Sequence, residues 1–135
     1  MISAMHAALQ AFWGGFRYAS AAVPAYEIGN VPDNAAMPYI TYEVGAGAIL
    51  SAGFLTAFVW VKRASGYDAQ VVRATILDSI AAAIPEAGLR LDLANDAGMV
   101  TLERNGAGFL QYYDDPTDTS VLGGRVSVEA HYYPA

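Results

Sequence analysis

Three groups of side chains in this sequence are of the kinds that do chemistry. The densest is the acidic run Asp114, Asp115 and Asp118 in DDPTDT. Clustered carboxylates can hold a divalent cation, but an EF-hand loop needs D-x-[DN]-x-[DN]-G and a distal Glu, and DDPTDTSVLGG does not match. An Asx or proline turn between two strands accounts for these residues instead. The second group is Ser127, Glu129 and His131, which alternate onto one side of an extended segment. Serine, histidine and a carboxylate make a hydrolase set, yet neighbours on one strand cannot converge on a nucleophile from three directions. The third group is glycine-rich, GAG at 45–47 and GAGF at 106–109, too short for a phosphate loop and without its lysine. No G-x-S-x-G elbow precedes a helix. His6 and His131 stand far apart and cysteine is absent, so spacing offers zinc no ligand set. His6 reads as a helix-face histidine in packing or solvent. The expectation is a protein that is not an enzyme, with no catalytic residue, cofactor or metal.

The elements that carry these residues follow from hydrophobic periodicity. Ile2, Met5, Leu9, Phe12, Trp13 and Phe16 recur at helical steps, predicting an N-terminal helix over 2–18 with Gly14-Gly15 near its end. Residues 20–38 hold Pro24, Pro32 and Pro38 with Asn30, Asp33 and Asn34, and read as a long extended loop with room for a short strand at Ala25 to Ile28. Tyr39 to Val44 and 54–62 alternate as strands, the second apolar on both faces and so expected to be covered on both. One cover is the helices, the other a neighbouring subunit. Val72, Ile76, Ile80 and Ile84 mark a helix over 67–84, capped by Ser65 or Asp68 and ended by Pro85 and Gly88. Strands at 89–93, 99–103, 109–113 and 125–133 follow, with turns at 95–98 and in DDPTDT. This order predicts one α+β domain spanning 1–135, an antiparallel sheet with helices packed on one face and the sheet-and-helix part at 39–133.

Composition narrows the function classes. The chain has 135 residues, 55% hydrophobic and only 15% charged, with 13 acidic against 7 basic residues and a formal charge of −6. A chain of this length buries roughly two-thirds of its unfolded surface, and so much apolar side chain predicts exposed patches that associate with copies or partners. The acidic balance and the scattered arginines disfavour sequence-independent grip on a phosphate backbone. The N-terminal stretch lacks a basic region and does not read as a signal peptide. Val44 to Val61 is uncharged over about the length of a membrane span, but its glycines and alternation predict two strands and a connection.

Several segments taken in order resemble the tail terminators of tailed bacteriophages, small proteins that complete the tail tube. They are VPDNAAMPYITYE from Val31, FVWVKRAS from Phe58 and YDAQVVRATILDSI from Tyr67. Gly98, then Gly108, Phe109, Gln111, Asp114 and Asp118, and the closing strand Arg125 to Tyr133 complete the pattern. The resemblance runs from about Ala25 onward and departs at the Ala- and Gly-rich segment 45–53. It implies a structural virion protein in the tail or neck, assembled in the host cytoplasm. As a homo-oligomer, usually a hexameric ring, it would cap the tail tube, meet the head connector and let DNA pass through its channel. A closed head-to-tail ring needs two different apolar patches per subunit. Expected contacts are Asn30, Pro32, Asp33 and Asn34 of the 29–38 loop, Ile49 and Leu50 of the 45–53 hairpin, and Asp114, Asp115 and Asp118.

Two alternatives stand beside this one. A head-closure adaptor of the same virion shares the assembly logic. A small-molecule-binding α+β domain would line a pocket with Tyr39, Tyr42, Trp60 and Tyr112, residues that sheet packing also explains.

Overall fold

The computed structural model describes residues 2–45 and 53–135. Residues 46–52, with Ile49 and Leu50 of the expected hairpin, lie outside them. Helix α1 (Ile2–Trp13) buries Met5, Leu9 and Trp13, one residue per turn. It is shorter than the 2–18 expected, because Gly14-Gly15 ends it. Beyond, β1 (Arg17–Tyr18) pairs with β2 (Ala21–Ala22). Ala19 and Ser20 turn that hairpin with φ of 49° and 68°, the positive values a two-residue hairpin turn demands.

Among the described residues the main sheet has seven strands. β3 (Ala25–Glu27) runs parallel to β4 (Tyr39–Tyr42), which pairs antiparallel with β5 (Gly53–Lys62). Helix α2 (Ala69–Ala83) follows, then β6 (Leu89–Asp92), β7 (Gly98–Arg104), β8 (Leu110–Tyr112) and β9 (Val121–Pro134). The order across the sheet is β3-β4-β5-β9-β7-β6, with β8 also on β9. The fold is α+β and the sheet mostly antiparallel. Among the described residues the parallel pair is β3–β4, and it arises because the Ile28–Pro38 loop carries the chain back to the start of its neighbour. The 95–98 turn is formed as expected, Asn95 and Asp96 taking φ of 59° and 56°, values Asn and Asp tolerate better than most residues.

Period-two alternation divides the sheet into two faces. On β5, Leu55, Ala57, Val59 and Val61 are buried and register against Val128, Val126, Gly124 and Leu122 of β9. Ile40 and Tyr42 of β4 and Val100 and Leu102 of β7 extend the same face. Met5, Leu9 and Trp13 of α1 and Val72, Ile76, Leu77 and Ile80 of α2 join them in a single buried cluster. Both helices therefore contribute to the core on this face.

Polar contacts fix where the helices sit. Asp68 caps α2, its carboxylate accepting from the Gln70 and Val71 amides at 3.2 Å each, a cap worth about 1 kcal/mol. At the other end Arg104 donates to the Ile84 and Ala81 carbonyls at 2.7 and 2.8 Å, satisfying acceptors the helix leaves open. α1 is tied to the β3–β4 edge: His6 Nδ1 lies 2.5 Å from Glu27, Gln10 donates to the Ala25 carbonyl at 3.2 Å, and the Tyr42 hydroxyl donates to Gln10. Burial first, then the Glu27 charge, raises the Tyr42 hydroxyl above its ordinary value of 10.0. His6 is thus a packing and pairing residue.

Candidate assembly surface

The second face of the sheet carries the side chains that the helices do not cover. Along β5 these are Phe54, Thr56, Phe58 and Trp60, in register with Glu129, Ser127, Arg125 and Gly123. Phe54 is 64% exposed. Phe58 and Trp60 stack at 5.5 Å between ring centroids, and Tyr113, 44% exposed, leans on both at 5.2 and 6.1 Å. Tyr39 registers against Trp60 and packs edge-on against Tyr26 at 5.8 Å. A string of aromatic rings thus crosses β3, β4 and β5 on a face without a helix over it. Phe58 and Trp60 are half-buried, so the open part of this string is Phe54 and Tyr113, and large exposed rings at its ends mark a surface that binds something.

Beside these rings lies a cleft of about 400 Å³. Its floor is Tyr39, Thr41, Trp60 and Val121, with Trp60 Nε1 donating to Thr41 Oγ1 at 3.0 Å. One wall is the Ile28–Met37 loop, through Ile28, Gly29, Val31 and Met37, and the other is the acidic turn, through Asp115 and Asp118. Two of the three segments expected to make contacts therefore meet across one cleft. Asn30, Pro32, Asp33 and Asn34 are exposed on the loop, whose backbone is held by the Asn30 amide on Glu27 O at 2.9 Å and the Ala35 amide on Pro32 O at 3.1 Å.

The three aspartates have different tasks. Asp115 Oδ1 accepts from the Thr117 amide and hydroxyl at 2.9 Å each and from the Asp118 amide at 3.2 Å. Asp118 accepts from the Ser120 amide at 2.9 Å and its hydroxyl at 2.5 Å. These are the Asx turns that the spacing predicts. Asp114 is not a wall of the cleft. Its carboxylate takes Arg73 Nη1 at 2.5 Å and the Gly123 amide at 3.3 Å, while 56% of the side chain stays exposed. It is drawn there by Arg73, a buried guanidinium on α2 that needs a partner.

Hydrogen bonds to Thr117 hold the Asp115 carboxyl below its ordinary 3.8, and those to Ser120 do the same for Asp118. A depressed folded pKa means the turn is stabilised above the unfolded value and loses that support as pH falls through the folded one. Amide protection at Thr117, Asp118 and Ser120, followed by hydrogen exchange with the intrinsic rate corrected, should therefore be flat from pH 7 to 5. It should fall only below roughly pH 4. Loss between pH 6 and 5 would mean the carboxylates do not hold the turn.

Tyr39, Tyr42, Trp60 and Tyr112, considered together as a pocket lining, are separated by the fold. Tyr42 is buried in the core, Tyr39 and Trp60 share the open face, and Tyr112 lies on the α2 side with Arg73 over its ring at 3.8 Å. Ser127 and His131 likewise form no triad: Ser127 Oγ accepts from Asn105 at 2.9 Å, and His131 Nε2 lies 3.0 Å from Glu129. The motifs do not single out Phe54, Phe58, Tyr113 or Arg73. Two-sided apolarity in 54–62 signals the first two, whereas nothing in the sequence marks Arg73 as buried.

Comparison of the chain with protein-family models, with curated proteins and with solved structures finds no match.

Proposed function

We propose that the protein is a structural subunit of a phage virion, a tail terminator that closes the tail tube as a ring and meets the head connector. The observation that carries this reading is the aromatic face of the sheet. One face is sealed by the protein's own helices, while Phe54, Phe58, Trp60 and Tyr113 stand on the other beside a cleft walled by the loop and the acidic turn. A subunit in a closed ring presents two unlike surfaces, one to each neighbour. The aromatic face with its adjoining loop–turn rim supplies one of them. The sequence order that resembles tail terminators supports the same assignment, and no helix among the described residues is long and apolar enough to cross a membrane. With a formal charge of −6, the ring would repel rather than grip DNA in its channel.

Phe54→Lys tests the reading without touching the core. The side chain is mostly exposed, so folding stability should change by no more than about 0.5 kcal/mol. Placing an ammonium in the interface should abolish the high-mass species expected of the wild-type chain in light scattering. An unchanged oligomer would remove the β5 face from the interface. Binding to purified tail tubes in the absence of head connectors separates the terminator from a head-side adaptor.

A further inference from the structure

At the far end of the open face, Glu103 of β7 and Glu129 of β9 stand directly opposite one another in register. Like charges in that position destabilise a strand pair; solvent reaches Glu103 on its exposed side, and the two nearby arginines are engaged elsewhere. Arg104, adjacent in sequence, points to the other face and gives its guanidinium to the end of α2. Arg90, on the neighbouring strand, is paired with Asp92 at 2.8 Å. Among the described residues the basic group in ion-pair contact is His131, with Nε2 3.0 Å from Glu129 Oε1. Residues 46–52, AGAILSA, contain no charged side chain. The His131 ring lies on the same face and is stacked on Tyr133 at 6.4 Å and 19°, which holds it upright beside the two carboxylates. One ligand atom from each of Glu103, Glu129 and His131 lies within 4.8 Å of the others.

We propose that Glu103, Glu129 and His131 form a binding site for a divalent transition-metal ion of the zinc class. Two carboxylates and an imidazole are a donor set that favours zinc and its neighbours over magnesium or calcium, which prefer all-oxygen shells. Small side-chain rotations bring three such atoms to the roughly 2.0–2.2 Å that zinc requires. A dication placed between the glutamates turns their cross-strand repulsion into a tie between β7 and β9. Coordination positions on the solvent side go to water. Sequence spacing does not reveal Glu103, because only the strand register sets it beside residues 129 and 131.

The test is calorimetric titration of Zn²⁺ into the metal-free full-length chain, alongside Glu103→Gln, His131→Ala and, as a control, His6→Ala. The expected result is one saturable zinc per chain. Affinity should fall in Glu103→Gln and His131→Ala by more than the roughly 10–100-fold that changes beyond the ligands themselves produce, and stay unchanged in His6→Ala. Zn²⁺ should raise the melting temperature of the wild-type chain and not of His131→Ala, and Mg²⁺ at the same concentration should raise neither. Circular dichroism on each variant reports that the fold is kept. No saturable zinc binding would overturn the proposal, as would a loss in His6→Ala with none in His131→Ala, or an equal response to Mg²⁺.

Discussion

Gly123→Ala is expected to lower the melting temperature by roughly 10 °C, equivalent to about 3 kcal/mol. A Cβ at position 123 would sit 1.9 Å from the Tyr113 carbonyl oxygen and 3.1 Å from the Trp60 ring. That oxygen cannot easily move away, since the Tyr113 amide is bonded to the Gly123 carbonyl at 2.9 Å. The Gly123 amide in turn donates to Asp114. The methyl group must therefore expel the segment that ends β8 and begins the acidic turn. Gly108→Ala is the matched control, because a Cβ there meets nothing within 4 Å, and its effect should stay within about 0.5 kcal/mol. Equal melting temperatures for the two variants would show that the close approach at Gly123 is not rigid.

Arg73→Ala is expected to cost about 2–4 kcal/mol in urea unfolding, and Asp114→Ala less, about 1–2 kcal/mol. Arg73 is only 4% exposed. It holds three things at once: Asp114 at 2.5 Å, the Gly123 carbonyl at 3.1 Å and the face of Tyr112 at 3.8 Å. Asp114 is different, because 56% of its side chain is exposed and solvent screens the pair from that side. Losing the carboxylate leaves Arg73 with its carbonyl and its ring. The double variant should fall short of the sum of the single effects, as partners in one network do. Additive losses would mean that the two residues stabilise the turn separately.

What is legible in the sequence follows from strict periodicity. The steps of four from Val72 to Ile84 place α2 to within two residues at its start and one at its end, and the alternation of 39–44, 54–62 and 89–93 places three strands. Two-sided apolarity in 54–62 places apolar rings on the open face of β5 from the residue pattern alone. Illegible features depend on partners distant in the chain. β9 begins at Val121, four residues before the expected Arg125, because LGG looks like a turn. Its glycines are strand residues kept small by Tyr113 crossing over Gly123 and by Leu77, whose side chain lies 2.8 Å from where a Cβ on Gly124 would be. The parallel pairing of β3 is set by where the Ile28–Pro38 loop returns, which no local pattern encodes. Asp114 looks like its neighbours Asp115 and Asp118, and only the burial of Arg73 separates them. The cleft is intermediate: turn residues mark both of its walls, while nothing local marks their meeting over Trp60.

Assembly is the central claim, and it is tested most directly by electron microscopy of the purified wild-type chain, alone and mixed with phage tail tubes. The predicted result is a closed ring with a central channel, seated at the end of each tube and absent when Phe54→Lys is used. A monomer that leaves tube ends bare at high protein concentration would contradict it.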